Sequence, residues 1–167
     1  MILSMMAKFE LDHVAVVVKH LDKFVEKYWN ILGVGPWNIF FLVPPAHKET
    51  YVKGKKVEYS LKVGIARLGN LSYELIEPLE GSNVLTDFLE TKGEGLHHVA
   101  WRCDSLEDVK RYLEAFKKID VEILQCGRFH DSCYYYFDTE RLLGTVCEIL
   151  YEPSSIKPNE VYPSGSG

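Results

Sequence analysis

Four residues have the type and placement to do chemistry together: His13, Glu74, His98 and Glu148. Two imidazole nitrogens and two carboxylate oxygens make a donor set suited to Zn, Ni, Co, Mn or Fe(II). The absence of thiolates from the set argues against a structural zinc. Four protein donors leave room on a five- or six-coordinate ion for water or substrate. That is the arrangement needed to polarise a substrate carbonyl and stabilise an enolate.

The elements that must position these residues read as strands. Alternate residues of a strand share a face. His13 therefore shares its face with Ala15 and Val17, and His98 with Ala100. Glu74 shares its face with Ser72 and Ile76, and Glu148 with Val146 and Leu150. An ionised carboxylate on a largely apolar face costs several kcal/mol unless it is paired or binds a metal. Taken one at a time, a strand histidine is ordinarily structural and a strand glutamate ordinarily faces water. His97 is set aside: by strand parity it points away from His98.

An internal repeat couples the four. The segment Leu11-Asp12-His13-Val14-Ala15-Val16 lines up with Leu96-His97-His98-Val99-Ala100-Trp101. Tyr73-Glu74-Leu75-Ile76-Glu77-Pro78 lines up, with one residue of slack, with Cys147-Glu148-Ile149-Leu150-Tyr151-Glu152-Pro153. Each half opens on a His-Val-Ala strand and closes on a strand carrying Glu, followed by Glu-Pro.

Periodicity fills in the rest. Residues 11–19 read as a strand, and 21–32 as an amphipathic helix stopped by Gly33. Residues 37–43 read as a strand, the polar run 46–56 as a loop over the site, and 57–68 with 71–77 as a hairpin. A short linking helix over 82–91, capped by Ser82, leads to a strand over 96–103 and a helix over 106–118 opened by Ser105. Strands over 121–128, 133–138 and 145–151 follow. The fold class is thus α+β, with two tandem βαβββ modules at about 10–80 and 95–153 in one domain spanning 1–167. The tail, 154–167, is expected to be loose or draped on the surface.

Bulk properties narrow the partners. The chain has 167 residues, 47% of them hydrophobic, with 19 Lys and Arg against 24 Asp and Glu for a formal charge of −5. With no basic stripe interleaved with aromatics, nucleic acid is excluded as an expected partner. No apolar run is long enough to span a bilayer. The first eight residues do not read as a signal peptide, so a cytoplasmic location with reduced cysteines (Cys103, Cys126, Cys133, Cys147) is expected. Arg128-Phe129-His130-Asp131 and Tyr134-Tyr135-Tyr136 are candidate pocket residues, although aromatic strand residues are more often core. Cys126 and His130 are a weak metal pair, and Lys53, Lys55 and Lys56 a weak phosphate contact.

Through these residues the chain resembles the vicinal oxygen chelate superfamily, which contains glyoxalase I, methylmalonyl-CoA epimerase, extradiol dioxygenases and antibiotic-resistance proteins. The resemblance covers about residues 10–153. It is closest to the methylmalonyl-CoA epimerase-like branch through Leu11-Asp12-His13-Val14-Ala15, Gly33-Val34-Gly35-Pro36-Trp37, Glu74-Leu75-Ile76-Glu77-Pro78 and Gly93-Glu94-Gly95-Leu96-His97-His98-Val99-Ala100. It implies curled mixed sheets around a metal cleft, with His13, Glu74, His98 and Glu148 on the ligand positions. It also implies a metal-dependent lyase or isomerase acting on a small molecule such as a 2-acyl thioester, with Glu148 or Glu58 moving the proton. A homodimer packed through the region of Trp29 and Trp37 is a further implication. Two departures stand out. The epimerases tend to carry Gln where this chain has Glu74, a pattern closer to glyoxalase I. Their acidic stretch before the third strand is here Tyr51-Val52-Lys53-Gly54-Lys55-Lys56-Val57-Glu58. A lactoylglutathione lyase, an Fe(II) extradiol dioxygenase and a non-catalytic drug-binding protein are the alternatives.

Overall fold

A computed structural model describes residues 10–165. The leader reading falls on residues outside that range. Among the described residues the two modules merge into one mixed eleven-stranded sheet, curled into a half-barrel, in the order β11 (Glu160–Tyr162), β2 (Trp37–Leu42), β5 (Leu61–Leu68), β6 (Leu71–Pro78), β1 (Glu10–Val17), β7 (Gly95–Arg102), β10 (Val146–Tyr151), β9 (Ser132–Phe137), β8 (Ile123–Phe129), β3 (His47–Val52) and β4 (Lys55–Lys56).

The first module comprises β1 (Glu10–Val17), α1 (Leu21–Leu32), β2 (Trp37–Leu42), β5 (Leu61–Leu68) and β6 (Leu71–Pro78). The second comprises β7 (Gly95–Arg102), α3 (Leu106–Lys118), β8 (Ile123–Phe129), β9 (Ser132–Phe137) and β10 (Val146–Tyr151). α2 (Val84–Thr91) links them, and a short α4 (Glu140–Leu143) precedes β10. Each module has its first strand parallel to its last, and the two first strands pair antiparallel at the centre of the sheet.

Local chemistry explains the helix ends. Gly33, at φ +65°, closes α1 in the left-handed conformation that an L side chain resists. The Glu77 carboxylate accepts from the Leu21 backbone N–H at the start of α1 (2.8 Å). Ser105 caps α3 by accepting from Asp108 N–H. The cap of α2 is Asn83 rather than Ser82; its side chain accepts from Leu85 and Thr86 N–H.

α1 and α3 cover the convex face. α1 buries Leu21 and Val25 against Trp37, Ile39, Ala66 and Leu75. α3 buries Val109, Tyr112 and Phe116 against Cys133, Phe137, Cys147 and Ile149. The opposite residues of the same strands (Ala15, Val17, Leu61, Val63, Ile76, Tyr134, Tyr136, Val146) line the concave face. Trp37 is fully buried in the α1 core, so it is not available to a partner subunit. No helix among the described residues is long and apolar enough to cross a membrane. The four cysteines are free, three of them buried.

Two sequence readings need correction. Residues 46–56 are not a loop: β3 (His47–Val52) and β4 (Lys55–Lys56) form a hairpin whose β3 pairs with β8 of the other module. The tail is not loose where it can be described: β11 (Glu160–Tyr162) pairs with β2. Asn159 supports it by accepting from Phe41 N–H through Oδ1 (2.9 Å). Both segments are polar and lack strand alternation. What selects the strand conformation there is an otherwise unpaired sheet edge, which local sequence does not reveal.

Candidate metal centre

The four sequence-predicted donors meet on the concave face, at the junction of the modules. In the β1–β6 ladder Ala15 lies opposite Glu74, and in the β10–β7 ladder Ala100 lies opposite Glu148. Both alanines are fully buried, and a methyl group is all that separates each carboxylate from the neighbouring strand. His13 and His98 stand on the two central strands, so each module supplies one histidine and one glutamate.

The donor atoms crowd together. Glu148 Oε2 lies 3.0 Å from His13 Nε2 and 2.9 Å from His98 Nε2. The two Nε2 atoms are 3.3 Å apart. Glu74 stands slightly farther out, 3.6 Å from His13 Nε2 and 3.9 Å from His98 Nε2. Donors sharing one ion at about 2.1 Å lie on the order of 3.0–3.4 Å from one another. His13, His98 and Glu148 meet that spacing and are the one set among the described residues close enough to hold an ion together. Buried Glu148 Oε2 faces two imidazole nitrogens at once, the setting of an oxygen aimed at a shared cation. The residues present therefore fit a divalent ion.

The electrostatics are those of a site built for positive charge. Burial pushes the Glu74 carboxyl up to about 7, against the attraction of His13. Burial would also raise Glu148, but His98 and His13 outweigh it and hold the group at about 2. His13 is desolvated as well; the carboxylates of Glu74, Asp12 and Glu148 overcome this and lift it well above its ordinary value. Burial lowers His98 in spite of Glu148.

Around the donors lies a cavity of about 270 Å³. Its walls are mainly aliphatic on the first-module side (Leu61, Val63 and Ile65, with Phe40) and aromatic on the other (Phe129, Tyr134, Tyr136). Tyr136 stacks at a tilt on His98, with ring centroids 4.6 Å apart. The tail reaches the cavity through Ile156, and among the described residues Arg102 is the only Lys or Arg along its lining. Arg102 is already engaged, donating from Nε to Asp12 (2.6 Å) and from a terminal nitrogen to Glu152 (3.3 Å).

Other sequence candidates fall elsewhere. Glu58 is exposed and does not line the cavity. Lys53, Lys55 and Lys56 lie on the β3–β4 hairpin, also away from it. Arg128 faces Glu49, and exposed His130 does not join Cys126 in a metal-holding group. The residues that strand parity concealed are Asp12 and His97. Asp12 Oδ2 accepts from His13 Nδ1 (2.8 Å), and His97 Nδ1 lies 2.9 Å from His98 Nδ1. The repeat alignment did carry a signal for them, because it places the two at equivalent positions.

Comparison with known proteins bears on the family and the fold. Residues 12–137 match the Glyoxalase/Bleomycin resistance protein/Dioxygenase superfamily. The chain belongs to that superfamily. It is 37% identical over 114 residues to the uncharacterized protein YqjC of Bacillus subtilis, covering 68% of this chain and 69% of that one. It is 32% identical over 97 residues to the mitochondrial methylmalonyl-CoA epimerase of Mus musculus, covering 58% of this chain. The match spans about half (47%) of the mouse protein's length. The fold is that of the hypothetical protein BH1468 from Bacillus halodurans (TM-score 0.62, 18% identity, 90% of this chain and 99% of that one). It is also that of a Streptomyces coelicolor methylmalonyl-CoA epimerase variant in complex with 2-nitronate-propionyl-CoA (TM-score 0.59, 18% identity, 86% of this chain and 97% of that one).

Proposed function

We propose that this protein is a divalent-metal-dependent isomerase that moves a proton on the carbon next to a carbonyl, with a 2-acyl thioester of the methylmalonyl-CoA type as the substrate class. The observation that carries the reading is Glu148 Oε2, buried and within 3.0 Å of His13 Nε2 and 2.9 Å of His98 Nε2 beside an apolar cavity. A divalent ion held by His13, His98, Glu148 and Glu74 would polarise the substrate carbonyl and acidify the adjacent C–H.

The chain's own residues supply the remainder. Glu74 and Glu148 come from strands on opposite sides of the central β1–β7 pair. Two carboxylates so placed can take a proton from one face of a planar carbon and return one to the other, which is what epimerisation needs. The aliphatic and aromatic walls exclude water and so limit loss of the proton to solvent. Glu148 is one of the two proton-moving residues in this reading, with Glu74 the other; exposed Glu58 does not line the cavity. A homodimer is part of the same reading, with Ile31 and Leu32 exposed at the end of α1 as apolar surface.

One feature favours a second substrate class. A carboxylate at Glu74 is the glyoxalase I-like pattern, and among the described residues no lysine lines the cavity to meet a CoA phosphate. Deuterium exchange from heavy water, measured on acyl-CoA epimers, glutathione hemithioacetals and catechols with Zn, Ni, Co, Mn or Fe(II) added singly, separates these readings. Exchange into the acyl-CoA is expected. Turnover of the hemithioacetal alone would move the assignment to a lyase, and absence of both metal binding and exchange would overturn the enzyme reading.

A further inference from the structure

The two central strands do not pair in simple register. Leu11 pairs with Trp101 but His13 pairs with Ala100, so Asp12 is an extra residue on β1. Ala15 pairs with His98 but Val16 pairs with Leu96, so His97 is an extra residue on β7. Each module thus carries a β-bulge at the residue just before its histidine ligand. The extra residue of a bulge escapes strict in–out alternation. That is why Asp12 and His97 reach the Nδ1 atoms of their own neighbours.

We infer that Asp12 and His97 are the paired positioning residues of the metal centre, each fixing the tautomer and orientation of the histidine that follows it. The inference rests on the metal-centre reading above. For His13 to offer an Nε2 lone pair, its proton must sit on Nδ1, where Asp12 Oδ2 accepts it at 2.8 Å. For His98 to do the same, His97 must accept at Nδ1 and carry its own proton on Nε2. Two nitrogens 2.9 Å apart share a single proton, so His97 acts as a neutral acceptor. Packing holds it there: its ring meets Phe88 of α2 edge-on (5.1 Å) and Tyr136 (5.6 Å).

The two supports differ in charge although their positions are equivalent. Behind His13 stands an anion, itself steadied by Arg102 and through it Glu152. Behind His98 stands a neutral ring. A carboxylate behind a ligand imidazole raises its basicity, whereas a neutral acceptor only orients it. The His13 arm should therefore be the stronger donor of the two.

The test uses the whole chain and Zn²⁺ alone, with affinity read by competition against a chromophoric chelator and tautomers by long-range ¹H–¹⁵N correlation of the histidine rings. Asp12→Ala and His97→Ala are expected to weaken zinc binding about 10–100-fold. Asp12→Asn and His97→Gln, which keep an accepting oxygen, should recover part of the loss. In the zinc-loaded protein His98 should carry its proton on Nδ1 and His97 on Nε2. Zinc affinity of both alanine variants within twofold of the parent, or a proton on His97 Nδ1, would overturn the inference. If an alanine variant does not fold by its thermal transition, the Asn and Gln variants and the parent's tautomers still decide it. If His13→Ala and His98→Ala also leave zinc binding intact, or the parent binds none, the metal-centre reading itself fails.

Discussion

Glu148 Oε2 stands 2.9 Å from His98 Nε2, both side chains buried where the two modules meet. The two atoms approach as donors to a third party do. Glu148→Gln keeps the shape of the side chain and removes its charge. Zinc affinity should fall at least tenfold, and proton exchange at the substrate carbon by about 10²–10⁴. Metal titration and deuterium incorporation measure the two losses separately, and full exchange activity in the variant would exclude Glu148 as the proton-moving group.

His47 supplies a pH prediction away from the donor cluster. Its Nδ1–H donates to the Tyr59 carbonyl (3.0 Å), so its Nε2 accepts from the Tyr134 hydroxyl (2.9 Å) and the ring is neutral. Burial, outweighing two backbone contacts, holds its pKa below the ordinary 6.5. As pH falls below that value the unfolded chain takes up a proton that the folded one refuses. Stability should therefore fall with acid, by up to about 1.4 kcal/mol per pH unit from this residue. Urea unfolding of the parent and of His47→Gln at pH 7.5 and 5.5 should show the shallower loss in the variant. Equal losses would mean that His47 is not held neutral.

Gly127 makes room for the same network. A Cβ there would come 2.7 Å from the Tyr134 hydroxyl and 3.1 Å from His47 Nε2. Gly127→Ala should cost about 1–3 kcal/mol and lower the melting temperature by several degrees, because both neighbours are buried and hydrogen-bonded. Since Tyr134 forms part of the cavity wall, substrate KM should rise more than kcat falls.

Removal of residues 154–167 would strip β11 from β2 and Ile156 from the cavity. An uncovered edge strand is a template for pairing with another chain. The shortened protein should self-associate in sedimentation experiments and bind substrate more weakly, while its zinc affinity stays within a few-fold of the parent's.

The sequence made the repeat legible because its strands are amphipathic and its helices have capped ends. His13, Glu74, His98 and Glu148 lie on the faces that alternation assigns them. Alternation failed at His97, where one extra residue turned a side chain expected to face away toward the neighbouring ring. It was also silent on β3 and β11. Their partners are distant in sequence and the stabilising bonds are main-chain ones, which leave no mark on residue type. Glu58 follows that inserted hairpin, so its setting too depends on where the hairpin goes.

The edge strands have one more consequence. β3 belongs by sequence to the first module but completes the second, and β11 follows the second module but completes the first. Neither half can come apart without baring main-chain groups on the other. The molecule should consequently melt in a single cooperative step, and each half expressed alone should remain unfolded until the missing half is supplied in trans.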